Sequence, residues 1–291
     1  MAVVVIINPI AGGARHGAAR LRVRTASAAL QAVGAQGDIF VTERRGHAHE
    51  LAQRAIRDRA TMVVAWGGDG TVNEVGSALA ESDIPLGIVP AGSGNGLAAD
   101  LGVSRRPAQA IAEALGAKPR LIDAGEINGR FFASLAGVGF DAHIAECFDR
   151  DSVRRGLWNY ARLTLREILS YESKMYRLDG TSNPRAAFLV TLANTSQFGN
   201  GARIAPGARL DDGKLNLVVF EEVSRLSTVL ALPRLFTGGA SRVRGMETTL
   251  VERVTIESDT PMRFHVDGEL GSGGVRLEAS VRAAALKVCV R

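Results

Sequence analysis

One stretch limits what this chain can fold into more than any other. An apolar, β-branched run at residues 61–64 feeds straight into Ala65-Trp66-Gly67-Gly68-Asp69-Gly70-Thr71-Val72-Asn73-Glu74. The run reads as a buried strand, and residues 75–79 beyond it read as a helix. Strand, glycine turn and helix in that order build an anion site. Glycines let the backbone approach a phosphate, and the N–H groups of the turn and first helical residues point at it. Asp69 then sets a carboxylate inside the cradle. A bare carboxylate would repel phosphates, so its presence points to Mg2+ joining the two. The alternative is a tight turn with a surface aspartate, against which a second cradle downstream argues.

That second cradle follows a strand at residues 84–89 and reads Pro90-Ala91-Gly92-Ser93-Gly94-Asn95-Gly96-Leu97. Together the two turns are suited to grip a triphosphate from two sides. Neither is a P-loop, because no Gly-Lys-Ser/Thr follows the glycines, and neither is a dinucleotide fingerprint after the first strand. Residues 3–7 form a continuous apolar run, typical of a parallel strand covered on both faces. Asn8-Pro9-Ile10-Ala11-Gly12-Gly13 comes next, then a basic helix at residues 15–30. This turn is a further candidate phosphate contact or a plain strand-to-helix loop. Residues 38–42 read as a strand whose last residue, Thr42, lies at the carboxyl end, where open α/β sheets place their ligands. Residues 46–58 and 107–117 read as helices, the latter with proline at its start. His47 and His49 do not share a helix face, which disfavours a metal site there.

Near Leu121 the alternation of strands and helices gives way to strand after strand. Residues 120–133 read as a hairpin turning at Asn128-Gly129. A basic helix is expected over residues 153–177, with Leu157, Ala161, Thr164, Ile168 and Tyr171 on one face and Arg155, Arg162 and Arg166 on another. Packing on a sheet with solvated arginines is the simpler expectation; a rim touching anionic lipid is the sharper one. Further strands are expected at residues 186–192, 214–221, 249–256, 262–266, 274–279 and 285–290. So many short strands with few helices suggest a β-sandwich-like second domain. Within it, Arg209-Leu210-Asp211-Asp212-Gly213-Lys214 offers carboxylate and carbonyl oxygens to a cation, or is a hydrated acidic turn. His265-Val266-Asp267-Gly268-Glu269 places two carboxylates around a glycine, as a general base with a partner or as an ordinary hairpin turn.

The net charge of +5 and pI near 9.7 suit polyanions without choosing among nucleotide, anionic membrane and nucleic acid. Cys147 and Cys289 are the only cysteines, which argues against a disulfide framework and a zinc cluster and for a cytosolic protein. There is no signal-peptide pattern and no apolar run of spanning length.

Taken together, Asn8-Pro9 with Gly12, Gly67-Gly68-Asp69-Gly70-Thr71 with Asn73-Glu74, Gly92-Ser93-Gly94-Asn95, the loop from Ile204-Ala205-Pro206 to Asp211-Asp212-Gly213, and Asp267-Gly268-Glu269 resemble the diacylglycerol kinase catalytic-domain superfamily. That superfamily includes sphingosine kinases and soluble bacterial lipid kinases. The resemblance implies an N-terminal α/β nucleotide-binding domain, Rossmann-like and NAD kinase/phosphofructokinase-like, and a C-terminal all-β sandwich-like domain. The boundaries are expected at 1–121 and 122–283, with 284–291 as a candidate completion of the first domain. The site is expected in the cleft between them.

By the same resemblance, Asn8, Pro9, Ile10, Ala11, Gly12, Thr42, Gly67, Gly68, Asp69, Gly70, Thr71, Val72, Asn73, Glu74 and Ser93 would contact ATP. Asp69 and Asp123 would hold its Mg2+. The carbonyls of Arg209 and Lys214 and the Asp212 carboxylate would bind a structural Mg2+. Glu269 or Asp267 would accept the proton. Ser93 follows the sphingosine-kinase form of its loop rather than the Gly-Thr form of many bacterial relatives, which weakens analogy about the substrate. The implied activity is ATP-dependent phosphorylation of a lipid alcohol, diacylglycerol or sphingoid-like. The lipid would be met at a membrane surface by a cytoplasmic, reversibly associated enzyme that takes no nucleic acid. A homodimer is left open. The alternatives are a soluble NAD kinase-like enzyme and an inactive nucleotide-binding module.

Overall fold

The computed structural model describes residues 2–13, 17–150, 157–179, 183–199, 201–221 and 224–290. Arg15, at the start of the expected basic helix, lies outside them, as do residues 153–156 with Arg155. The chain divides into two compact units, Met1–Ile122 with Ala284–Arg291, and Asp123–Ala283.

The first unit runs β1 (Val3–Ile7), α1 (Ala18–Ala32), β2 (Gly37–Val41), α2 (His47–Arg57), β3 (Met62–Gly67), α3 (Asp69–Leu79), β4 (Leu86–Pro90), α4 (Gly96–Asp100) and α5 (Pro107–Gly116). β1 pairs with β2 and with β3, and β3 with β4, all in parallel. Parallel strands need covered crossovers, so both faces of each strand are apolar. Val3, Val5 and Ile7 of β1, with Val64 and Trp66 of β3, pack among Ala26, Leu30, Ala110 and Ile111 of α1 and α5. The other face is served by α2 against β1 and α3 against β3. The C-terminal strand ends in this unit, where Val288 pairs in parallel with Leu86.

The second unit runs β5 (Arg120–Ile127), β6 (Arg130–Phe132), β7 (Leu135–Gly139), α6 (Phe140–Arg150), α7 (Leu157–Ser170), β8 (Lys174–Leu178), β9 (Arg185–Ala193), β10 (Gln197–Gly199), β11 (Ala202–Arg203), β12 (Leu215–Glu221), α8 (Arg225–Phe236), β13 (Met246–Val251), β14 (Arg253–Glu257), β15 (Arg263–Val266), β16 (Glu269–Ser272) and β17 (Arg276–Val288). Its first and last strands reach into the residues of the first unit. Antiparallel pairing joins β16, β15, β7, β9, β12 and β13 in that order; β8, β14 and β17, and separately β5 and β6, are also antiparallel, and β5 pairs with β17. Val190, Leu192, Leu215, Leu217 and Phe264 of the first set share one core with Ile127, Phe132, Val254, Ile256 and Leu277 of the second, as a sandwich requires. The opposite faces of β9 and β12 present Phe188, Leu189, Val218 and Phe220 to α6 and α7, so these strands are buried on both sides.

Several sequence expectations change. The helix expected over residues 153–177 ends at Ser170, and residues 174–178 form the strand β8. The strand expected at 249–256 is two strands, β13 and β14, separated at Glu252. The strands expected at 274–279 and 285–290 are one, β17, with Ala284 in the left-handed region at φ 50°. The second unit also carries three helices longer than ten residues, because the outer faces of β9 and β12 need cover. The hairpin turn at Asn128-Gly129 forms as read, with both residues at positive φ (46° and 73°). On α7, Ile168 is buried and Arg162 and Arg166 are exposed.

Candidate active site

Strand register aligns the turns of the first unit. Ile7 lies opposite Val41 and Trp66, and Gly67 opposite Pro90. Asn8, Thr42, Gly68 and Ala91 therefore leave the sheet together at its carboxyl edge. The ladder continues one step past each strand: Asn8 N–H donates to Trp66 O (2.9 Å), Thr42 N–H to Ile7 O (2.8 Å) and Ala91 N–H to Gly67 O (2.7 Å). Sterics then bring the glycine turns into contact. A Cβ on Gly92 would lie 2.6 Å from the Gly68 Cα, and a Cβ on Gly12 (φ +70°) would lie 2.4 Å from the Ala91 carbonyl oxygen. Asn8 Nδ2 donates to Thr71 Oγ1 (3.0 Å), tying the first turn to the start of α3. The fold thus gathers Asn8 to Gly12, Thr42, Gly67 to Thr71 and the Ser93 loop on one edge.

α3 begins earlier than the sequence suggested, at Asp69, with Gly68 as its extended N-cap. The N–H groups of Asp69, Gly70 and Thr71 belong to the first helical turn, where backbone donors lack intrahelical acceptors. The Asp69 carboxylate also has a protein role: Asn95 N–H donates to Oδ2 and Gly96 N–H to Oδ1, each at 2.8 Å. Asn95 in turn closes its own loop through Gly92 N and O (2.8 and 2.7 Å). Val72 and Asn73 are buried. The Glu74 carboxylate accepts the Gly46 and Ala48 N–H groups at the start of α2 (2.9 and 3.0 Å). His49 Nδ1 lies 3.0 Å from Ser77 Oγ, so this histidine joins α2 to α3.

One residue the sequence did not single out completes the edge. Arg22, on α1, donates Nη2 to the Ala11 carbonyl (2.8 Å) and Nη1 to the Asn8 carbonyl. It clamps the first turn and sets a half-buried cation beside it. Nothing in the sequence separates Arg22 from its neighbours Arg20 and Arg24; only the loop that folds back on α1 does.

In the second unit, Asp267 and Gly268 form a two-residue turn with both φ positive (47° and 82°) between β15 and β16, with Val266 opposite Glu269. Asp-Gly suits such a turn. The Asp267 carboxylate accepts three backbone N–H groups: Ala133 to Oδ2 (2.8 Å), and Ser134 and Leu135 to Oδ1 (both 2.9 Å). It anchors the hairpin to the segment entering β7. Glu269 opens β16, half-buried. Behind the turn, Gly268 N–H donates to His265 Nδ1 (3.4 Å), and His265 Nε2 lies 3.1 Å from Asp141 Oδ2. Thr191 Oγ1 donates to the same oxygen (2.6 Å). Burial pushes the neighbouring Tyr171 and Tyr176 phenols well up, with Asp141 adding to both, so they stay neutral.

Asp123 lies on β5, buried, against the expected cation loop: Gly213 N–H donates to its Oδ2 (2.7 Å), and its own N–H donates to Leu210 O (2.6 Å). Lys214 N–H donates to Asp212 Oδ1 (3.1 Å), while Arg209 pairs with Asp211 (3.5 Å) at the surface. Asp123 and Asp212 thus each accept an N–H group of this one loop, and both carry hard carboxylate oxygens of the type Mg2+ accepts.

The sequence matches the family model described as diacylglycerol kinase catalytic domain over residues 2–127, and the YegS C-terminal NAD kinase beta sandwich-like domain over residues 134–290. The chain belongs to the diacylglycerol kinase catalytic-domain family. Among this lipid kinase family's members, a diacylglycerol kinase of Mycobacterium tuberculosis is 30% identical over 98% of this chain and 94% of its own length. A protein of Chromohalobacter salexigens named "Probable lipid kinase YegS-like" is 32% identical over 85% of this chain and 82% of its own length. A solved diacylglycerol kinase structure from Bacillus anthracis shares the fold, with a TM-score of 0.76 at 20% identity, covering 100% of this chain and 97% of that one. No helix among the described residues is long and apolar enough to cross a membrane.

Proposed function

We propose that this protein is an ATP-dependent lipid kinase that transfers the γ-phosphoryl group to the hydroxyl of a lipid alcohol. The observation that carries the reading is the edge where Gly12 and Gly92 approach backbone so closely that no side chain fits, with Gly68 tightly packed against Gly92. Such a cradle suits phosphate oxygens, and it occurs in a lipid kinase family member with both family domains. In this reading residues 1–121, completed by 284–291, bind ATP, and residues 122–283 take the lipid.

The N–H groups of Ala11 and Gly12, of the first turn of α3 and of Ser93 and Gly94 bind the phosphates, the other donors of these loops being spent within the protein, and Thr42 borders them. Arg22 fixes the first turn and offsets charge. Asp69 would be the first unit's ligand to Mg2+ and Asp123 the second unit's candidate ligand, while Asp212 with the Arg209 and Lys214 carbonyls would hold the structural ion. When bound, Mg2+ neutralises charge on the transferring phosphoryl group. Glu269 accepts the proton of the attacking hydroxyl. Asp267 is the weaker candidate for that role, because its three accepted N–H bonds stabilise it as an anion that holds a turn. Exposed Leu165 and Leu169 on α7, beside exposed Arg162 and Arg166, suit reversible contact with an anionic lipid surface.

The test incubates the protein with radiolabelled ATP and a total lipid extract in vesicles. A labelled lipid that disappears with Asp69→Ala is expected. Phosphorylation of NAD without lipid would replace this reading with the soluble-kinase one. Nucleotide binding with no turnover on any lipid would leave a binding module.

A further inference from the structure

A cluster in the second unit takes no part in this chemistry. His143 and Cys147 lie four residues apart on α6, so both project from one face of that helix. Glu167 on α7 meets them there. His143 Nε2 is 2.8 Å from Glu167 Oε2 and 3.6 Å from Cys147 Sγ, and the three ligand atoms lie within 4.8 Å of one another. Cys147 is buried among Phe140, Ile144, Leu163 and Ile168, while His143 keeps 32% of its side chain exposed and lines a cavity of about 260 Å³ with Tyr171, Lys174 and Arg263.

We propose that His143, Cys147 and Glu167 form a site for a single Zn2+ ion that joins α6 to α7. The donor set decides the ion. Imidazole and thiolate with one carboxylate favour Zn2+ over the Mg2+ of phosphoryl transfer, and three protein ligands leave the fourth position for water. The spacing agrees: with Zn–N about 2.0 Å and Zn–S about 2.3 Å, tetrahedral geometry sets donors about 3.3–3.5 Å apart. The His–Cys separation is already there, and the His–Glu pair needs to open by about half an ångström. The carboxylate is also oriented, since Arg166 Nε donates to its other oxygen, Oε1, at 2.8 Å. Such partners of a ligand set its direction. Binding releases the thiol and any imidazolium proton to solvent and leaves oxidation states unchanged.

The test uses the full chain stripped with a chelator and titrated with Co2+, then with Zn2+ in competition. One Co2+ per chain is expected, with a thiolate-to-cobalt charge-transfer band that Zn2+ abolishes. Cys147→Ser removes the band and weakens Zn2+ binding at least tenfold, Glu167→Gln and His143→Gln also weaken it at least tenfold, and Cys289→Ser leaves it intact. Circular dichroism checks that each variant is folded. If Cys147→Ser fails to fold, the two variants that keep the core decide. A folded wild type with no band, or binding that survives both Glu167→Gln and His143→Gln, overturns the site. None of these readouts depends on kinase activity.

Discussion

The turns at the carboxyl edge of the first unit and the Asp267-Gly268-Glu269 hairpin of the second are held by opposite means. At the first edge, contact is steric: Gly68 and Gly92 approach because neither has a side chain. At the hairpin, contact is electrostatic: one carboxylate collects the N–H groups of residues 133–135. The first device tolerates no added atom. The second tolerates no lost charge. Even the shared use of aspartate differs, since Asp69 also ties one glycine turn to the other, whereas Asp267 ties a hairpin to a strand.

This contrast orders the effects of substitution. Glu269→Gln should cost the most, lowering kcat by about 10²–10⁴-fold with an unchanged unfolding midpoint. Wild-type turnover in that variant would end the assignment of Glu269 as base. Gly92→Ala should come next. Its new Cβ meets backbone, and such overpacking costs about 1–3 kcal/mol, read as weaker ATP binding by calorimetry. Unchanged affinity would show that the two turns can part without consequence. Asp267→Asn replaces an anion by an amide and turns a donor toward donors. It should lose about 1–3 kcal/mol in urea unfolding, while Asp267→Glu should keep part of that. Full stability in the asparagine variant would break the electrostatic half of the contrast.

The smallest effect belongs to Asp83, paired with Lys287 at 2.6 Å on the first unit's surface. Lys287 holds the Asp83 carboxyl below its usual range, so the pair's contribution is present above the unfolded-state value and fades as pH falls through the folded one. The Lys287→Ala difference should shrink in acid and in salt; a difference that grows in acid would reverse that sign.

Local chemistry made the strands, the turns and their order readable. β1, β3 and β4 announced themselves by continuous apolar runs, Asn128-Gly129 and Asp267-Gly268 by residues that accept positive φ, and the glycine turns by their place after strands. These are properties of neighbours in the chain, so composition and period determine them. Partners distant in sequence were not readable. Nothing local says that Arg22 closes on Asn8 and Ala11, that Glu74 caps α2, that Asp123 meets Gly213, or that Glu167 reaches His143 and Cys147. Two cysteines argued against a thiolate cluster, yet a mixed site needs only one, and while His143 shares its helix, Glu167 comes from a second one. Tertiary packing decided these pairings, because a hydrogen bond or a ligand set depends on separations of a few ångströms between elements that sequence leaves unspecified.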